Sequence, residues 1–202
     1  GKGSVLDVLK IPALWPVLAI MAVAYAPAAG VRGLWTGPYF TDVFGADAAA
    51  IGRATLAMGL AMVLGNFAYG PLDRILGTRK WLVVGGNACV LLALLGLWSL
   101  PAAGGWTTLI LLMAVGFFGA SFPVVIAHGR ALFPPHLVGR GVTLLNLFGL
   151  GAVGLAQVAT GRIHAATAAT DPAAPYAVLF LFYAVALAAG LLVYLFSRDR
   201  TD

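Results

Sequence analysis

Gly70-Pro71-Leu72-Asp73-Arg74-Ile75-Leu76-Gly77-Thr78-Arg79-Lys80 is the densest run of charge in a 202-residue chain that is otherwise 61% hydrophobic. Two arginines, a lysine and an aspartate crowd eleven positions. Such a run does not rest in hydrocarbon. The apolar segments on either side, 48–69 and 81–100, are each at least 20 residues long, which is enough to cross a bilayer. The run therefore reads as a water-facing hinge between two membrane helices.

The rest of the chain repeats that pattern. Only 9% of residues are charged and none is glutamate, against about 25% charged in a soluble domain. The net charge of +5 does not point to nucleic acid, because the basic residues form no stripe with interleaved aromatics. Cys89 is the single cysteine, so no intrachain disulfide forms, and it reads as a small hydrophobe. No signal peptide is visible. The chain opens on Gly1-Lys2-Gly3-Ser4, which reads as the cut or linker end of a longer protein.

Six apolar segments predict six membrane helices, at about 12–39, 48–69, 81–100, 106–127, 141–163 and 176–196. A short interfacial turn over 4–10 precedes them. Pro12 suits a first helical turn, where the missing N–H has no partner to lose. Pro27, Gly30, Gly33 and Gly37 predict a bend or break in the first helix, and Pro123 a kink in the fourth. The fold class is thus an all-α integral membrane bundle forming a single domain over 1–202.

Orientation follows from the cations. Lys2, Lys10, Arg74, Arg79, Lys80, Arg130, Arg140, Arg198 and Arg200 fall on one side. Arg32, Arg53 and Arg162 lie within or at the ends of helices, and the opposite loops hold no lysine or arginine. That bias predicts both termini and the hinge in the cytoplasm. Polar residues concentrate in the first, second, fourth and fifth helices: Thr36, Thr55, Asn66, Ser121, Thr143, Asn146, Gln157 and Thr160 are there. The third and sixth helices are almost bare of them, so they are expected to face lipid and the other four to face inward. The two quiet helices stand three apart, as in transporters built from inverted three-helix repeats.

At the hinge the residues reach a family. Gly70-x-Leu72-Asp73-Arg74-x-x-Gly77-x-Arg79-Lys80 resembles the loop motif that major facilitator superfamily (MFS) transporters place between the second and third helix of each six-helix half. Phe133-Pro134 and Arg140-Gly141 before Asn146, with Gly149, Gly151 and Gly154, resemble the loop and fifth helix of the carboxy-terminal half. In the hinge, aspartate follows Leu72 directly and two residues precede Gly77, a departure that fits a carboxy-terminal half better. The resemblance implies a 3+3 inverted-repeat unit, helices seven to twelve of a twelve-helix secondary transporter in a bacterial inner (plasma) membrane. It implies no enzyme activity, and alternating access as the mode of work. The implied partners are a small-molecule substrate, the amino-terminal half or a second copy, and the lipid bilayer. By analogy Asp73, Arg74 and Arg130 form a conformational gate, with Asp73 paired to Arg130 and to a helix of the other half. The plain alternative makes Arg74, Arg79 and Lys80 topology anchors only. A non-transporting six-helix subunit, an assembly or regulatory partner, is the other functional class the pattern admits.

Arg32 is the leading site residue. An arginine inside a membrane helix is costly and marks a functional candidate, and a guanidinium suits a carboxylate or phosphate. The phosphate-exchanging branch of the superfamily carries a similar arginine ahead of a tryptophan and a proline; Arg32, Trp35 and Pro38 resemble it, with different spacing. The expected substrate set is Arg32, Trp35, Asn146 and Gln157, and the expected substrate an organic or inorganic anion. The competing reading has Trp15 and Trp35 marking the two interfaces, with Arg32 snorkelling outward or paired to Asp42 or Asp47. Asn and Gln in such helices more often bond between helices. His128 reads as an interfacial polar residue. Gly149-Leu150-Gly151-Ala152-Val153-Gly154 matches the dinucleotide fingerprint but lacks its strand, so it reads as helix packing. Ser121 lacks a histidine to activate it. No metal-ligand spacing appears and no cofactor is expected.

Overall fold

The computed structural model describes residues 4–167 and 170–201; Lys2 and the linker-like start lie outside them. The chain is all-α, 83% helical, with no strand among the described residues. Six helices are long and apolar enough to cross a membrane: α1 (Pro12–Phe44), α2 (Ala48–Leu76), α3 (Arg79–Ser99), α4 (Gly105–Arg130), α5 (Pro135–Ala166) and α6 (Ala174–Tyr194). The shortest has 21 residues, about 32 Å at 1.5 Å each, so all six match the hydrocarbon thickness. Ser4 caps the short helix Val5–Leu9 that precedes them.

Contacts at the two ends give the direction of each helix. The Tyr39 hydroxyl near the end of α1 donates to the Pro101 carbonyl after α3, and the Tyr176 hydroxyl at the start of α6 donates to Asp42. At the other end, Thr78 before α3 bonds Asp199 after α6, and His128 near the end of α4 bonds Tyr194. The helices therefore alternate up and down. Both described ends of the chain lie at one end of the bundle, with the hinge.

The helix ends differ from expectation in instructive ways. α1 runs past Tyr39 to Phe44, and Gly45 stops it with φ 59°. Thr41 and Asp42 look like loop residues, but Tyr39 packs on Tyr176 and Phe180 at ring separations of 5.1 and 5.3 Å. That tertiary contact carries the helix onward. Inside α1 the regular pattern lapses at Tyr25, two residues before Pro27, whose ring leaves the Val23 carbonyl without its donor. It then widens into a π-helical turn over Val31–Trp35. α2 does not end at Tyr69. It continues through Pro71, Asp73 and Arg74 to Leu76, and Gly77 makes the turn with φ 61°. The charged run is thus mostly the last two turns of a helix, with a tight corner after it. α4 is interrupted over Gly119–Ser121, where a kink was expected. Pro123 cannot donate to Gly119, so the chain restarts a helix with proline in its first turn.

Packing places α1 against α5 and α6, and α4 against α2 and α3; α3 and α6 pack along one another, and α1 touches α4. Glycines set the closest approaches. Gly65 of α2 meets the Phe117 carbonyl of α4, and Gly149 of α5 meets Met21 of α1. Burial adds detail to the expected sorting of helices. α3 and α6 bury Val90, Leu94, Leu97, Leu179, Tyr183 and Leu187, whereas α2 and α5 are the least buried of the six. A helix without polar residues suits an apolar core as well as it suits lipid, because the two are equally apolar. α2 leaves Leu56, Leu60, Val63 and Phe67 exposed, and α5 leaves Leu147, Leu150, Leu155 and Val158.

Candidate functional site

Arg32 sits in the π-turn of α1, with its side chain exposed. It lies against α2: a Cβ built on Gly59 would be 3.7 Å from an Arg32 guanidinium nitrogen. Twelve residues separate Arg32 from the end of α1 at Phe44, about 18 Å along the axis, so it lies well inside an apolar helix and not in its last turn. Trp35 is turned into the bundle and not outward. It is 7% exposed, its indole donates to Thr160 Oγ1 at 3.0 Å, and it packs on His164 and Tyr176. Asp42 is bonded to Tyr176, and Asp47 caps α2 by accepting from Ala50 N at 2.8 Å. Among the described residues the ion pairs are Lys10–Asp7 and Arg79–Asp73, so no carboxylate neutralises Arg32.

The other expected substrate residues do not gather around it. Trp35 faces away into the bundle. Asn146 is half-buried, with its amide spent on the Val142 carbonyl of its own helix at 3.0 Å. Gln157 is half-buried nine residues before the end of α5 at Ala166, about 14 Å in, near the depth of Arg32. Of the four, Arg32, Trp35 and Gln157 lie at similar levels, but Trp35 is bonded to Thr160 inside the bundle, and Asn146 stands far along α5. Asn66, another pathway candidate, bonds the Met62 carbonyl of its own helix at 2.9 Å.

The hinge forms a second polar cluster. Asp73 pairs with Arg79 at 3.3 Å, not with Arg130. Arg79 also reaches the Ala127 and Arg200 carbonyls at 3.4 Å each, so one guanidinium ties α2, α4 and the C-terminal tail together. Arg130 is exposed and, with Arg79 and Phe133, lines a cleft of about 380 Å³. Arg74 is exposed in the last turn of α2, where a cation suits the negative end of the helix dipole. Arg79 and Lys80 are more than topology anchors. Lys80 Nζ donates to the Leu195 and Ser197 carbonyls at 2.6 and 2.7 Å, closing the end of α6.

Asp199 completes this cluster. It accepts from the Thr78 hydroxyl and from the backbone N–H groups of Arg79 and Lys80, at 3.2 and 3.0 Å. Partial burial raises its pKa, but those hydrogen bonds from Thr78, Lys80 and Arg79 outweigh burial and hold the carboxyl below its ordinary value. Asp199 thus stays charged at neutral pH over the positive end of α3. His128 is fully buried, bonded to the Tyr194 hydroxyl at 2.6 Å and the Arg198 carbonyl at 2.8 Å; it is a clasp for the tail. Sequence reasoning missed Asp199 and Tyr194. Thr78 after Gly77 did carry an N-cap pattern, but nothing local links it to a residue 121 positions away.

Asn87 was also passed over. It is fully buried, bonds Ser121 Oγ at 3.1 Å beside the break in α4, and leaves its Oδ1 unpartnered. Among the described residues no group of histidine, cysteine or acidic side chains forms a metal site. The chain matches no protein-family model and no curated protein.

Proposed function

We propose that this chain is the carboxy-terminal six-helix half of a secondary transporter of the major facilitator type, moving a small anion by alternating access. The observation that carries the reading is a repeat in the packing. Exchange α1, α2, α3 for α4, α5, α6 and the neighbours exchange with them: α1 on α5 becomes α4 on α2, α1 on α6 becomes α4 on α3, and α3 on α6 maps onto itself. One pair of glycine contacts follows the same exchange: Gly96 meets Leu111 of α4 as Gly190 meets Val23 of α1. Two such three-helix units, each crossing a membrane an odd number of times, would have opposite topology, which supports reading them as an inverted repeat.

The hinge residues add family resemblance, and Arg32 adds the substrate class. It is a cation well inside an apolar helix, on an open face and, among the described residues, without a carboxylate, where an anion would find it. The exposed apolar faces of α2 and α5 would seat a companion half, and the cation bias supports termini in the cytoplasm. Asp73, Arg79 and Asp199 would hold the cytoplasmic corner while the halves rock.

The test is uptake of labelled small anions, with neutral solutes as controls, into vesicles holding the complete protein. Saturable anion uptake is expected. Failure across a broad panel, with the chain recovered instead in a stable membrane assembly, would favour the non-transporting subunit.

A further inference from the structure

The break in α4 gathers oxygen atoms that lack donors. Asn87 of α3 is fully buried beside it. The Asn87 amide nitrogen donates to the Val83 carbonyl at 2.9 Å and to Ser121 Oγ at 3.1 Å. A carbonyl can only accept, so the contact with Val83 fixes which amide atom is nitrogen. The other atom, Oδ1, has no donor among the described residues.

The backbone of the break adds to this deficit. Pro123 has no N–H to give the Gly119 carbonyl four residues back. Val124 and Val125 both donate to the Ser121 carbonyl, at 3.0 and 3.1 Å, where a regular helix would have Val124 serve Ala120. The Phe118 carbonyl, by contrast, is taken by the Tyr69 hydroxyl at 2.7 Å. Gly119, Ala120 and Ser121 are all buried. Asn87 stands eight residues from Arg79 and twelve from Ser99 along α3, about 12 and 18 Å. That is deep in an apolar layer, where an unpaired polar group is costly.

The free atoms share one character. Asn87 Oδ1 and the Gly119 and Ala120 carbonyls can only accept, and Ser121 Oγ keeps a lone pair beyond the one Asn87 uses. The segment Gly105–Phe118 ends here with its negative pole. The positive pole of the segment after it is muted, because Pro123 has no N–H and the next two are spent on Ser121. Oxygen ligands suit a hard cation, and a set without a carboxylate suits a monovalent one. Unwound carbonyls and the C-terminal end of a half-helix are the means by which broken membrane helices hold sodium.

We propose that the break in α4 binds a sodium ion, ligated by Asn87 Oδ1, Ser121 Oγ and the Gly119 and Ala120 carbonyls. The site does not depend on which solute the protein moves.

The test uses the complete protein, purified in choline chloride and melted in detergent with sodium, potassium or choline at constant ionic strength. Sodium is expected to raise the melting temperature saturably, and potassium and choline are not. Losing one ligand to a charged ion weakens binding about tenfold or more. Asn87→Ala and Ser121→Ala should each raise the half-saturating sodium concentration by that factor. Pro123→Ala returns an N–H to the Gly119 carbonyl and should weaken sodium binding likewise, with both side chains in place. It carries the test if Asn87→Ala fails to fold. Thr143→Ala, on an exposed turn of α5, should respond to sodium as the original does. Equal melting in the three salts would leave these oxygens to water and overturn the proposal. A sodium response unchanged by Pro123→Ala and Ser121→Ala would put the ion elsewhere and also overturn it. Neither result depends on anion uptake, so the site and the transport reading stand or fall separately.

Discussion

Arg32→Lys is expected to weaken anion binding by the complete protein about ten- to a hundredfold, with its amount in the membrane unchanged. The size follows from the chemistry. Lysine keeps the charge but loses the planar fork that holds two oxygens, and a hydrogen bond to a charged group is worth about 1.5–3 kcal/mol. The selectivity of the effect follows from the position. Arg32 is exposed beside Gly59, and neither an ion pair nor a packed core depends on it. Substrate-dependent thermal shifts read the binding, and membrane content reads the expression. Unchanged binding would return Arg32 to a charge that merely reaches water along an open face.

Gly65→Leu should cost most of the folded protein. A Cβ at Gly65 would fall 2.2 Å from the Phe117 carbonyl oxygen and 2.9 Å from the Ala120 Cβ. The first is backbone, so no rotamer change relieves the clash, and α2 and α4 must separate. Overpacking of this kind costs about 1–3 kcal/mol or more. Gly86→Ala is a useful contrast. There the clash, at 1.8 Å, is with the Tyr69 hydroxyl, the far end of a side chain that can swing away. It would lose only its bond to the Phe118 carbonyl. Gly52, with no neighbour within 4 Å, is the control. Melting in detergent should fall steeply for Gly65→Leu, modestly for Gly86→Ala and hardly for Gly52→Leu. A Gly65→Leu protein that melts like the original would remove the tight seam between α2 and α4.

Much of the fold was legible because lipid imposes simple rules. Length and hydropathy marked all six crossings, and proline marked the irregularities near Tyr25 and Ser121. Helix ends were less legible. Asp73 and Arg74 are polar, yet they complete the last turns of α2, because a helix end that meets water tolerates charge and only Gly77 forces the turn. Composition did not show that α3 and α6 bury one face while leaving Leu92 and Val185 exposed on another, because apolar residues suit core and lipid alike. The site was legible in part. An arginine in an apolar helix announces itself wherever its partners are, so Arg32 stood out. Trp35 lies three positions on in the same π-turn, and the sequence gives no warning that it points into the bundle at Thr160. The hinge cluster depends on pairing across 121 residues, from Thr78 to Asp199, and on choosing between Arg79 and Arg130 for Asp73. No local pattern encodes either choice.

Everything proposed for function requires six crossings with both ends of the chain on one face. Single cysteines in a Cys89→Ala background, labelled with an impermeant maleimide in sealed vesicles of known orientation, test this directly. Gly139→Cys and Arg200→Cys should label from one side only, and Ala48→Cys and Ala102→Cys only from the other. Labelling of Gly139 and Arg200 from opposite sides, or of all four from the same side, would contradict the six-crossing bundle and the transporter half built on it.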